Sequence, residues 1–188
     1  IFIPGGEGRL KLTPERTSLG GFYGGVLKPL SDPALTSALF HVVVFDSPVN
    51  LPVGTLYPSS RASADHLMRI DSVVRYYKNK FNLPIWLMGH SNGVPSIVAY
   101  FKKQQDTREE SIIEGMVYSS ARIGAFFRTG TRVPTLFLAH EQDGCAKSTV
   151  YNSKSHYKEL AEQGNTRLDY VLIQGGQAEG DPCSSGFH

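Results

Sequence analysis

The sequence predicts an α/β fold, a doubly wound and mostly parallel sheet flanked by helices. Runs of β-branched and aromatic residues alternate along the chain with segments of helical spacing, the pattern of a parallel sheet covered on both faces. The apolar runs are continuous rather than alternating, as in strands buried on both sides, and Val42-Val43-Val44-Phe45 is the plainest of them. The length of 188 residues suits one continuous core that removes about 70% of the unfolded surface, so residues 1–188 read as a single domain.

Each element has a local reason. Ile1 to Pro4 is a short apolar strand running into Gly5-Gly6-Glu7-Gly8, and Gly20-Gly21-Phe22-Tyr23-Gly24-Gly25 is a loop by composition. Asp32 to Phe40 is a short helix with Asp32 as N-cap and Pro33 at its first position, followed by a buried-type strand from His41 to Asp46. The proline- and serine-rich stretch Ser47 to Arg61 is a loop, placed after a strand end where it can rim a site. Ser63 to Phe81 is the strongest helix, with Leu67, Ile70, Val73, Val74 and Tyr77 at helical spacing and lysines in its last turn. The run Pro84 to Met88 is a strand and Val94 to Lys103 a helix; Ile113 to Ser119, Pro134 to Ala139 and Arg167 to Ile173 are strands, with a helix over Val150 to Gln163. Repeats and low-complexity segments are absent.

Composition excludes several classes of function. A formal charge of +2 with scattered basic residues is too mild for a nucleic-acid partner. No apolar run approaches the roughly 18 residues of a membrane span, and no charged segment precedes a signal-like stretch, so the chain reads as soluble. It opens directly on strand residues and stops at His188, as a processed or partial form of something longer would.

The pentapeptide Gly89-His90-Ser91-Asn92-Gly93 lies between the strand Pro84 to Met88 and the helix from Val94, and reads strand, sharp turn, helix. A serine hydroxyl is a poor nucleophile unless a tight turn presents it to a histidine and to backbone N–H groups. Glycines two residues before and two after Ser91 leave the room such a turn requires. On these residues the chain resembles the α/β-hydrolases, with GHSNG as the nucleophile elbow after the fifth strand of that fold. The resemblance implies acyl-transfer chemistry, usually carboxylic ester hydrolysis through an acyl-enzyme, with no cofactor. Relative to the full family pattern, the first strands would precede Ile1 and the last helix would follow His188.

The same resemblance implies partners in the order serine, acid, histidine, each at the C-terminal end of a strand. Asp143, in the turn His140-Glu141-Gln142-Asp143-Gly144 after a strand, is the expected acid, with Asp46 and Glu141 as rivals. His188, ending the loop after the last strand, is the expected base. His66 and His156 fall within helices, His41 begins a strand, His90 belongs to the elbow and His140 precedes the acid. The expected oxyanion hole combines the N–H of Asn92 with that of Gly6 or Glu7, from the glycine-rich loop after the first strand.

Cys145 follows the acid by two residues and Cys183 precedes the base by five. A bridge between them would hold the two loops in register and imply a periplasmic or secreted protein. Two cysteines are too few for a structural zinc site, and His140-Glu141 does not continue into HExxH, so no metal is expected. Only Arg122 to Val133 separates the two strands between which such hydrolases often insert a lid, so no cap domain is expected. An uncapped site can accept small or polymer-linked esters, with Tyr57, Phe126 and Phe127 as apolar contacts. The alternatives are an amidase, peptidase or acyltransferase on the same three residues, or a binding protein that keeps the fold without turnover.

Overall fold

The computed structural model describes residues 1–15, 19, 21–34, 40–47, 60–107, 111–125, 132–176 and 181–183. Among the described residues five parallel strands make one sheet in sequence order: β1 (Phe2–Ile3), β2 (Ile85–His90), β3 (Ile113–Ser119), β4 (Thr135–His140) and β5 (Leu168–Ile173). Beyond β1, Val44 makes a parallel bridge to Phe2, where Phe2 N–H donates to the Val43 carbonyl at 2.7 Å and Phe45 N–H to the Phe2 carbonyl at 2.9 Å. The strand expected over His41 to Asp46 is thus reduced to a bridge at the sheet edge.

The direction of travel reverses at β1. From β1 the chain moves outward to Val44, then returns past β1 to β2, and from there steps one way to β5. Right-handed crossovers place the helices of the two directions on opposite faces. On one face, Tyr23 of α1 (Gly21–Leu27) meets the Phe2 ring edge-on with centroids 5.5 Å apart. Ile3 points the other way, into a core shared with Ile70 and Val74 of α2 (Ala64–Phe81), Ile97 of α3 (Gly93–Asp106) and Leu160 of α4 (Val150–Glu162). The register puts Trp86, Val171 and Ile173 on the α1 face, beyond the reach of that short helix, and they stand 45%, 47% and 45% exposed.

The helix α2 ends where its sequence says, whereas α3 runs to Asp106, past the expected Lys103. Ser63 caps α2 by accepting from His66 N–H at 3.3 Å, and Asn82 terminates it in the left-handed region at φ 51°. One expectation fails nearby. The stretch expected as a glycine loop forms α1, because Phe22 and Tyr23 pack on His90 and Phe2, while Gly24 lies so close to the Leu19 backbone that a side chain there would collide. Packing outweighs the poor helix propensity of its glycines. Asp32, expected as a helix N-cap, follows a 3₁₀ turn at Pro29–Ser31 in an extended conformation and accepts from Ala34 N–H at 2.8 Å, the bond an N-cap side chain makes. Residues 35–39 of that expected helix, and 48–59 of the expected rim loop, lie outside the described residues.

Candidate active site

Because the chain leaves β1 toward Val44 but leaves β2 toward β3, the loops after these two strands diverge. A crevice opens at such a switch point, outside the carboxyl ends of the strands. A cavity of about 410 Å³ occupies this position, with Gly5 to Gly8 from the β1 loop on one side and His90, Ser91 and Asn92 from the β2 turn on the other.

Ser91 sits at φ 49°, a left-handed conformation that a side-chain-bearing residue adopts only under constraint. The constraint is visible in its neighbours. A Cβ on Gly89 would lie 2.8 Å from the Gly93 carbonyl carbon, and one on Gly93 would strike the Ile3 carbonyl oxygen. Both glycines are therefore set by backbone approach: the turn folds back on itself, and the start of α3 presses on β1. Ser91 N–H donates to the Ser119 carbonyl at 2.9 Å and its own carbonyl accepts from Val94 at 3.0 Å, which holds the turn to β3 and to the helix.

Asn92 precedes α3 without making a side-chain cap, and its backbone N–H is one of the orphan donors of a helix start. Its side chain instead donates to the Gly6 carbonyl at 3.0 Å and accepts from Arg122. Across the cavity Gly6 takes φ 54°, and Gly8 N–H closes the turn onto the Gly5 carbonyl at 2.9 Å. The N–H groups of Gly6, Glu7 and Asn92 donate to no backbone carbonyl among the described residues.

Beneath this loop lies Arg61, fully buried, whose Nη2 donates to the carbonyls of Gly6 at 2.9 Å and Pro4 at 3.3 Å and whose Nη1 reaches Ser96 Oγ at 3.3 Å. Desolvation by burial lowers its pKa to about 10, so it is charged at neutral pH. His66 joins the network through Nε2 and Ser96 Oγ at 2.9 Å, and burial holds its pKa down to about 4. Arg61 thus holds two carbonyls of the loop whose residues Gly5 to Gly8 line the cavity. Sequence reasoning missed Arg61 because a charged residue in a serine-rich loop reads as exposed. Arg122, directly after β3, carried a usable signal in its position at a strand C-terminus.

Asp143 is buried in the turn after β4, where its Oδ1 accepts from Cys145 N–H at 3.0 Å and Ser148 Oγ at 3.5 Å. Cys145 and Cys183 are joined by a disulfide with Cα atoms 4.7 Å apart, and both line the cavity that Ser91 lines. The rival carboxylates are engaged elsewhere: Asp46 accepts from Leu10 and Leu12 N–H at 2.6 and 2.8 Å, and Glu141 accepts from Gln174 at 3.0 Å. Of the histidines, His41 stacks on Phe81, His90 is buried with Nδ1 3.1 Å from Ser119 Oγ, His140 donates Nε2–H to the Gly175 carbonyl at 2.6 Å, and His156 bonds the Arg122 carbonyl at 3.2 Å. His188, Tyr57, Phe126 and Phe127 lie outside the described residues. Among the described residues no group of three or more His, Cys, Asp or Glu is placed to hold a metal ion, and no helix is long and apolar enough to cross a membrane.

No protein-family model matches the chain, and no curated protein matches it by sequence. Among solved structures it is similar to a thermostable esterase at 18% identity and a TM-score of 0.44, over 58% of this chain and 28% of that one. The chain therefore spans under a third of that esterase, and so slight a likeness carries no functional argument.

Proposed function

We propose that this chain is a serine hydrolase of the α/β-hydrolase type that cleaves carboxylic esters through an acyl-enzyme. The observation that carries the reading is Ser91, held at positive φ in a strand–turn–helix and lining a cavity bordered by the loops after β1 and β2. Ser91 Oγ attacks the ester carbonyl while His188 takes its proton, and Asp143 orients the imidazole and stabilises its charged form. The developing oxyanion is met by the N–H of Asn92 and by that of Gly6 or Glu7, each such donor being worth roughly 10²–10³ in kcat. His188 then protonates the leaving alcohol, and water attacks the acyl-enzyme by the reverse proton route. No cofactor takes part. The short stretch Arg122 to Val133 leaves no room for a cap between β3 and β4, so small and polymer-linked esters both reach Ser91, and the Cys145–Cys183 disulfide fits a periplasmic or secreted setting.

The test is intact-mass spectrometry after incubation with a fluorophosphonate. A single adduct on the wild-type chain, absent from Ser91→Ala and His188→Ala, is the expected result, with turnover of activated esters falling at least about 10³-fold in each variant. A folded wild-type protein that takes no adduct would overturn the reading in favour of a binding protein on a hydrolase fold.

A further inference from the structure

Among the described residues four charged side chains line the cavity beside Ser91, and three of them are cationic: Arg9, Arg122 and Lys147, against Glu7. Arg122 is the informative one. It is half-buried, it spends one donor on the neutral Asn92 Oδ1, and its Nε is buried with no hydrogen-bond partner. Burial lowers its pKa, with no carboxylate beside it to oppose the shift. Neither Arg122 nor Lys147 forms an ion pair with a carboxylate among the described residues. Ile123 N–H donates to the Lys147 carbonyl at 2.7 Å, so the segments carrying the two cations run side by side.

A partly desolvated guanidinium without a counter-charge is unfavourable, and its planar fork of donors matches a carboxylate. We propose that Arg122, supported by Lys147, binds an anionic group of the substrate, so that the ester cleaved at Ser91 carries a free carboxylate, as a monoester of a dicarboxylic acid does. This rests on the esterase reading for the reaction but not for the binding. The substrate supplies the missing charge. Arg122 contacts the residue that follows the nucleophile, so a bound anion is anchored at the edge of the reacting centre and the ester carbonyl is turned toward Asn92 and Gly6. A neutral ester of the same size fills the cavity but leaves the guanidinium unsatisfied.

The experiment is calorimetric titration of the Ser91→Ala protein with monomethyl glutarate and with dimethyl glutarate, which differ by one charge. The monoanion should bind roughly 10- to 100-fold more tightly, as a charge-assisted hydrogen bond in a partly desolvated site implies. Arg122→Gln should abolish most of that ratio, Arg122→Lys should restore part of it, and Lys147→Gln should reduce it less. Should Arg122→Gln fail to fold, Lys147→Gln at its exposed position makes the same comparison. Equal binding of the two esters, or a ratio untouched by both glutamine variants, overturns the proposal. Fluorophosphonate labelling of the wild type separates the two readings. Labelling without an anion preference sinks only this proposal; an anion preference without labelling sinks the esterase reading and leaves the anion site standing.

Discussion

The two sides of the cavity are held by different physics. On the serine side the geometry comes from backbone contact and buried polar bonds: Gly93 against the Ile3 carbonyl, Gly89 against Gly93, and Arg61 gripping the carbonyls of Pro4 and Gly6. On the aspartate side the geometry is local and covalent, with Asp143 capped by Cys145 N–H and Ser148 and its turn tied to a distant loop by the disulfide. The serine side belongs to the packed core and moves only if the core moves. The aspartate side borders an exposed sheet edge, and beyond its local hydrogen bonds it is anchored by one bond that a reductant can cut.

Glycine substitutions should break this contrast most sharply. Gly93→Ala sets a methyl against the Ile3 carbonyl oxygen, where no rotamer change gives relief, and should destabilise by more than about 4 kcal/mol in urea unfolding, a size kept for backbone strain and core disruption. Gly144→Ala, whose Cβ would rest 3.2 Å from the Pro182 side chain, should change stability by about 1 kcal/mol or less. Comparable losses in both would mean that the two sides are equally rigid.

Next in size is the disulfide, which closes a 38-residue separation. The chain-entropy argument assigns it about 4 kcal/mol. The Cys145→Ser, Cys183→Ser double variant should lose that stability in urea titration while keeping fluorophosphonate labelling slower rather than absent. An unchanged midpoint would place the order of the aspartate turn in its hydrogen bonds alone.

A smaller loss than those of Gly93→Ala and the disulfide comes from pH and acts on the serine side. Burial first, then the charges of Arg61 and Arg69, lower the His66 pKa from 6.5 to about 4, with Asp65 opposing. Between those values the unfolded chain binds a proton that the folded protein refuses, so stability is full above pH 6.5, falls as the pH drops, and levels off below about 4. The whole span is on the order of 3 kcal/mol. His66→Gln should flatten urea midpoints over this range, and parallel wild-type and variant curves would assign the acid sensitivity to other groups. Acid thus loosens the serine side and reduction the aspartate side.

Much of this was legible in sequence where the signal is local. The periodic core residues of α2, the strand β2 and the paired glycines around Ser91 each declare themselves within a few residues. What was not legible depends on distant partners. The helix α1 defies its glycine content because Phe2 and His90 give it something to cover. Arg61 is buried because carbonyls from the other end of the chain turn toward it. The cationic wall of the cavity brings together residues from three separate loops, which no window along the sequence contains.

The bond from Asn92 to Gly6 spans 86 residues. Closing a loop of that length is entropically unfavourable until strand pairing rewards it, and long-range pairing of this kind slows folding. The helix after Ser91 can form from local contacts, whereas the loop opposite it arrives only when β1 docks. On refolding, reactivity toward a fluorophosphonate should therefore return after helical structure does, so that a newly made chain carries its nucleophile unarmed until its first residues find their place.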